Sequence, residues 1–264
     1  MKCDVAQLPD VGKEALKELC EKAEIDVEEV KFVWASVPCE TYSTANWSNF
    51  TRGNHHREKE KGHPPRRDGG SKAEKAENHD KIVKVAMELL KAAGKGVLEN
   101  PAGGLCKQNF MASWEPKRQT VHLCNFGWPY KKATDLWKQG FEVELQGRSG
   151  HGRCDQQCGA GDWNPVTGRY GHVHAQGSDP EKEVKGRGSD AIRHGLPCRL
   201  LKEILDAALG EGRSEGVLLD VCAGGRSMQQ VARDKGLRYV AVDIREQKQT
   251  PEAWRKVQVR LEAR

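Results

Sequence analysis

The chain alternates short apolar runs with longer amphipathic stretches. Lys31 to Val37, which contains Phe32, Val33, Trp34 and Ala35, is a near-continuous apolar run and predicts a buried strand. Lys72 to Ala93 carries Ile82, Val83, Val85, Ala86, Leu89 and Leu90 at helical spacing and stops at Gly94, so it predicts a helix closed by glycine. Gly96 to Leu98 predicts the next strand and Thr120 to Cys124 another, followed by the punctuated turn Phe126-Gly127-Trp128-Pro129. Gly12 to Cys20 has the spacing of a helix, and Met1 to Val5 reads as a short strand. Towards the other end, Pro197 to Leu209 predicts a helix with Leu200, Leu201, Ile204, Leu205 and Ala208 on one face, broken by Gly210-Glu211-Gly212. Val217 to Val221 and Tyr239 to Ile244 read as strands flanking a helix over Met228 to Lys235. Strands alternating with helices predict an α/β fold with a largely parallel, doubly wound sheet.

The pattern lapses between Gly140 and Gly188, where Gly, Asp, Gln and His replace any sustained periodicity. This reads as a small irregular lobe inserted into the main domain, suited to recognising a substrate. The chain therefore divides into residues 1–139, a lobe over 140–190, and 191–264. A length of 264 residues with 37% hydrophobic content supports one substantial core. Nine cysteines without a signal-type N-terminus point to a reducing compartment, nucleus or cytoplasm. No apolar run approaches the about 20 residues of a membrane helix, so a soluble protein, read as a monomer, is expected.

Chemistry enters at the strand ends, where open α/β sheets bind ligands. Pro38-Cys39 places a candidate thiolate just beyond the Lys31 to Val37 run, and Glu99-Asn100-Pro101 places an acid after the next strand. The segment Asp220-Val221-Cys222-Ala223-Gly224-Gly225 runs from a strand into glycines, with Asp243 on the strand after it. That arrangement suits a nucleotide-like cofactor, the acid binding ribose hydroxyls. The net charge of +5 is mild, but Arg52, His55, His56, Arg57, Lys59, Lys61, His63, Arg66 and Arg67 cluster in one segment after the candidate thiolate. Two readings stand for it, a solvated loop or a set of phosphate contacts. In the irregular lobe, Cys154 and Cys158 with His172 and His174 are candidate ligands for zinc, with His151 and Cys124 as spares, against the alternative of unligated residues.

These elements together resemble the DNA cytosine-5 methyltransferase family. Pro38-Cys39-Glu40-Thr41-Tyr42-Ser43 is similar to its Pro-Cys-Gln-x-Phe-Ser loop, Glu99-Asn100-Pro101 to its Glu-Asn-Val, and Asp220 to Gly224 to its Asp-x-x-Ala-Gly. The cofactor element comes last here and first in the ordinary family member, so the resemblance is to a circularly permuted Rossmann-like methyltransferase sheet. It covers the core elements and not the inserted lobe. It implies S-adenosylmethionine as cofactor, held by Asp220, Cys222, Ala223, Gly224, Gly225 and Asp243, with Asp4 as the acid that recognises adenine. It implies Cys39 as nucleophile and Glu99 as acid, with Pro38, Ser43 and Asn100 shaping the pocket for a flipped cytosine. Tyr42, the Arg52 to Arg67 loop, with Arg52, Arg66 and Arg67 as its contacts, and the lobe would then meet DNA.

Departures from the pattern are also legible. The family's Gln-x-Arg-x-Arg element, whose arginine contacts the base and braces the thiol loop, becomes Tyr130, Lys132 and Thr134 after Gly127-Trp128-Pro129. Lys132 supplies a cation without the planar fork. Arg226-Ser227 replace further glycines, and Cys222 replaces an aromatic beside the cofactor. Two other readings remain: a non-catalytic relative that binds nucleic acid or cofactor, and an enzyme that methylates cytosine in RNA.

Overall fold

A computed structural model describes residues 3–9, 11–43, 47–48, 53–54, 56–58, 63–67, 70–128, 131–154, 161–164, 169–172, 195–223 and 227–242. Its strands are β1 (Val30–Ser36), β2 (Trp47–Ser48), β3 (Gly53–Asn54), β4 (Gly96–Pro101), β5 (Arg118–His122), β6 (Ala133–Gln139), β7 (Gly161–Asn164), β8 (Arg169–His172), β9 (Val217–Val221) and β10 (Arg238–Val242). The α-helices are α1 (Gly12–Ala23), α2 (Ser71–Ala93), α3 (Cys198–Leu209) and α4 (Met228–Lys235). Six strands form the main sheet in the order β10-β9-β1-β4-β6-β5. No helix among the described residues is long and apolar enough to cross a membrane.

Alternation along the strands divides the apolar side chains between the two faces. Val33, Ala35 and Val37 join Leu98, Leu219 and Val221 in one core with α1 and α2. Phe32 and Trp34 join Val97, Leu136 and Leu218 in the other, against α3 and α4. The crossover from β1 to β4 runs through α2 on the first face, and that from β9 to β10 through α4 on the second, so the sheet is covered on both sides. Burial on both faces is why β9 reads as a near-continuous apolar run, Val-Leu-Leu-Asp-Val, interrupted only by Asp220. An ion pair between buried Lys235 and half-buried Asp206, at 2.5 Å, ties α4 to α3.

Two expectations, those for Met1 to Val5 and for Thr120 to Cys124, are revised, the largely parallel sheet carries two antiparallel strands, and one strand went unread. The sheet is parallel across β10, β9, β1 and β4, but β6 runs antiparallel to β4 and β5 antiparallel to β6. β6 itself went unread, because buried Thr134 and Asp135 interrupt its apolar pattern. Met1 to Val5 gives no strand among its described residues. Instead, Val5–Gln7 is a 3-10 turn capped by Asp4, which buries Val5 and Leu8 at helical spacing. The expected strand over Thr120 to Cys124 ends at His122, and Leu123–Phe126 turn into a 3-10 helix closed by Gly127 at φ 92°. Within the irregular stretch, β7 and β8 pair as a hairpin. Before it, Leu145 is fully buried, its backbone bonded at both N and O by the Gln119 side chain of β5.

Helices α1 and α2 pack tightly at Gly12, where an added methyl would lie 2.2 Å from the Glu88 carbonyl oxygen. Gly12→Ala gains helix propensity but must push two backbones apart. A net loss of about 1–3 kcal/mol is expected, read as a lower urea midpoint with an unchanged slope.

Candidate active site at the carboxyl edge of the sheet

Strand β1 ends at Ser36, and the chain leaves the sheet through buried Val37, then Pro38 and Cys39, both half-buried. The proline biases Val37 to an extended backbone, and the Asn100 amide donates to the Val37 carbonyl at 3.0 Å. A tight turn follows: the Cys39 carbonyl accepts from Tyr42 N at 3.0 Å and Ser43 N at 2.8 Å. Cys39 thus sits at the mouth of the sheet edge, neither sealed in the core nor on an open surface.

Glu99 stands beside this exit, because Ser36 and Glu99 are register partners on β1 and β4. Only 6% of it is exposed, and its Oε1 has no hydrogen-bond partner. Burial pushes its carboxyl above the ordinary glutamate value, and the charge of Lys132 and a hydrogen bond from Ser36 oppose that shift. The Ser36 hydroxyl also accepts from Trp34 Nε1 at 2.8 Å, so it is fixed in place. Half-buried Lys132 arrives at the same edge because β6 is antiparallel: Thr134 pairs with Pro101 and Asp135 with Asn100. Thr134 Oγ1 and Asn100 Oδ1 are buried and without partners. Three unsatisfied polar atoms on neighbouring strands mark an edge suited to a polar ligand.

On the other flank of β1, Asp220 lies in register with Trp34 and accepts from the Tyr239 hydroxyl at 2.6 Å. No spacing in the chain signals that tyrosine contact, which reaches across from β10. After β9, Cys222 adopts φ 66°, a left-handed conformation that costs a non-glycine residue about 1–3 kcal/mol. Cys222 N and Ala223 N both donate to the Val242 carbonyl, at 2.8 and 3.1 Å. The strained turn is therefore pinned to the next strand. Gly224, Gly225 and Asp243 lie outside the described residues. Asp4 accepts from Ala6 N at 3.1 Å as the cap of its own turn.

The basic segment is not one charged surface. Arg57 is 1% exposed, and His56 and His63 are buried, so these three cannot be the phosphate contacts or solvated charges that their composition allows. Tyr42, expected to meet DNA, is fully buried: its hydroxyl donates to Asp80 Oδ1 at 2.6 Å, and the Arg57 guanidinium stacks on its ring at 4.2 Å. The phenol ring pays for no exposure because the thiol-loop turn folds it inward against α2. Beside it, His79 Nδ1 lies 3.1 Å from Thr41 Oγ1, and burial lowers the His79 pKa to about 4, keeping the ring neutral at physiological pH. Arg66 is half-buried, while Arg67 is exposed near Glu58. Arg52 lies outside the described residues, as do Tyr130, Cys158 and His174. No group of three or more His, Cys, Asp or Glu among the described residues could hold a metal ion. Cys154 instead donates its backbone N–H to His122 Nδ1 at 2.9 Å, and the His172 side chain is outside the description.

The chain is 27% identical over 191 residues to a protein of Frog virus 3 (isolate Goorha) described as a probable DNA (cytosine-5)-methyltransferase, an alignment covering 67% of this chain and 75% of that protein. No family model matches the chain, and no solved structure matches it.

A buried carboxyl raised above its ordinary value destabilises the fold once it ionises. Below the unfolded-state value of about 4.3 both folded and unfolded forms carry the proton, so the cost is absent. It grows as pH rises from there through the raised folded value. Glu99→Gln, which keeps shape but removes ionisation, is expected to match the parent protein in thermal stability near pH 4 and to exceed it at pH 8, measured as melting temperature against pH.

Proposed function

We propose that this chain is a DNA cytosine-5 methyltransferase of circularly permuted order, transferring a methyl group from S-adenosylmethionine through a covalent Cys39 adduct. The observation that carries the reading is the placement of Cys39 and Glu99 at the ends of adjacent parallel strands, with the Asp220 to Ala223 turn on the opposite flank of β1. The similarity to the Frog virus 3 protein supports a relationship to the methyltransferases. Sheet order supports the permutation. Counted from β9 as the first strand and passing through the joined ends to β6 as the last, the order becomes 2-1-3-4-6-5. Its first part is the doubly wound order that binds ligands where the crossovers diverge, here between β9 and β1.

The turn after β9 fits the methyl donor: small side chains at Cys222 and Ala223, a backbone bent into the left-handed region, and a fixed carboxylate at Asp220. Asp220, Cys222 and Ala223, with Gly224, Gly225, Asp243 and Asp4, would hold it. When bound, S-adenosylmethionine supplies an electrophilic methyl group. Carbon 5 of cytosine is a weak nucleophile, so the protein must enrich it. The Cys39 thiolate adds to the neighbouring carbon 6, and Glu99 in its protonated form gives a proton to ring nitrogen 3, placing electron density on carbon 5. After methylation, loss of the carbon 5 proton to solvent water and departure of the Cys39 thiolate re-form the carbon 5–carbon 6 double bond, and ring nitrogen 3 returns its proton to Glu99, which regenerates both groups. Pro38, Ser43 and Asn100 shape the pocket, Lys132 acts on Glu99 from the residue before β6, and Arg52, Arg66 and Arg67 would hold the phosphates of DNA.

The test is transfer of labelled methyl groups from S-adenosylmethionine to mixed-sequence DNA and to RNA, with Cys39→Ala in parallel. Labelled DNA that disappears in the variant is expected. Labelling of RNA alone would move the substrate, and absence of transfer to both by a folded, cofactor-binding protein would leave a non-catalytic relative.

A further inference from the structure

We propose that Arg57 is a positioning residue for the nucleophile, a buried clamp that fixes the Cys39 turn in place of the family arginines whose positions are taken by Lys132 and Thr134. The inference rests on Cys39 being the nucleophile. Every donor of the guanidinium is engaged inside the protein. Nε donates to the Thr41 carbonyl at 3.0 Å. One terminal nitrogen donates to the His63 carbonyl at 3.2 Å, Asp80 Oδ2 at 3.3 Å and Gln108 Oε1 at 3.1 Å. The other reaches Thr41 Oγ1 at 3.3 Å, the Ala76 carbonyl at 3.2 Å and Asp80 Oδ1 at 2.5 Å. No donor remains for a base or a phosphate.

What these contacts join is the argument. Thr41 and Tyr42 form the turn whose first carbonyl belongs to Cys39, and Arg57 holds Thr41 by both backbone and hydroxyl while covering the Tyr42 ring. Through Ala76 and Asp80 the same guanidinium fastens that turn to α2. Through Gln108 it fastens it to the loop that follows Glu99: Gln108 Nε2 donates to the Gly104 carbonyl at 2.7 Å, and Gly104 N donates to the Tyr42 carbonyl at 2.7 Å. A methyl added at Gly103 would lie 2.7 Å from that same Tyr42 oxygen, so the two loops are as close as their backbones permit. The thiol loop and the acid loop are thus locked to each other through one cation. Burying a guanidinium is a poor way to gain stability compared with an apolar side chain of like volume, and its best-attested use is to fix a unique arrangement. Lysine cannot substitute, because a single ammonium lacks the fork that spans Thr41, Asp80 and Gln108 together.

Arg57→Lys and Arg57→Ala are compared with the parent protein in three readouts: kcat and KM for DNA and S-adenosylmethionine, the rate of iodoacetamide alkylation at Cys39 followed by peptide mass, and recovery of kcat in Arg57→Ala by added methylguanidine. A folded Arg57→Lys protein is expected to keep both KM values and lose about 100-fold in kcat, the scale of a small misplacement of reacting groups. Alkylation at Cys39 should quicken while that of exposed Cys198 does not change, and methylguanidine should restore part of kcat. Unchanged kcat and unchanged Cys39 alkylation in folded Arg57→Lys would overturn the clamp, as would a loss confined to KM. Should Arg57→Ala fail to fold, Arg57→Lys decides. Should the parent protein transfer no methyl group at all, the enzymatic reading falls, and Cys39 alkylation alone then decides whether Arg57 holds the turn.

Discussion

Everything at the candidate site depends on the parallel pairing of β1 with two strands from distant parts of the chain. Its central position sets Trp34 against Asp220 on one side and Ser36 against Glu99 on the other. Because all three strands run the same way, their carboxyl ends emerge along one edge, and residues far apart in sequence meet there without any loop having to reach across the fold. The hydrophobic driving force behind this is spread over both faces: Phe32 and Trp34 anchor one core and Val33 and Ala35 the other. A strand buried on both faces has its register strongly specified, since a slip by one residue would exchange the two sets of side chains. The edge geometry is therefore as rigid as the core that imposes it.

That rigidity is set against local features that do not favour folding. Glu99 Oε1, Asn100 Oδ1 and Thr134 Oγ1 are buried without hydrogen-bond partners, and Cys222 holds a left-handed backbone without being glycine. In an ordinary core such features are eliminated, because each costs on the order of 1–3 kcal/mol. Their gathering at one sheet edge is the distribution expected where stability is traded for a ligand or a reaction, and Trp137 Nε1 in the core is likewise buried without a partner. The burial that denies Glu99 a full set of partners is also what keeps its proton available. Stability and proposed chemistry here pull on the same carboxyl in opposite directions.

The sequence revealed the parts whose physics is local. The apolar runs of β1 and β9, the long stripe of α2 and the Leu-rich face of α3 each follow from burial acting on a regular period, and the strand ends then located Cys39, Glu99 and Asp220. It failed where tertiary context overrides the period. Buried Asp135, held by the Thr120 hydroxyl at 2.6 Å, makes β6 look polar although it lies inside the sheet. Arg57 was indistinguishable from its exposed neighbours, since composition counts charge and not the acceptors waiting for it. Those acceptors come from Thr41, His63, Ala76, Asp80 and Gln108, a set no spacing rule connects. Tyr42 was misread for the same reason: the turn that buries it is closed by contacts from α2.

On the proposed reading, Lys132 stands where the resembled family carries an arginine, and that difference has a consequence opposite to that of a simple loss. An arginine facing Glu99 could form two parallel charge-assisted hydrogen bonds and hold the carboxyl firmly ionised. Lys132 is half-buried and acts on Glu99 through its charge, while burial remains the largest influence and raises the carboxyl above its ordinary value. A weaker cation leaves the protonated form easier to reach, and that is the form able to give a proton to a base. On the same reading the thiol loop lacks the brace that the family's arginine would supply, a task for which a flexible ammonium is poorly shaped. Arg57 brings a fork to that loop from a different segment and a different side. Separating the two duties allows the electrostatics at Glu99 and the placement of Cys39 to be set independently, which a single arginine serving both could not do.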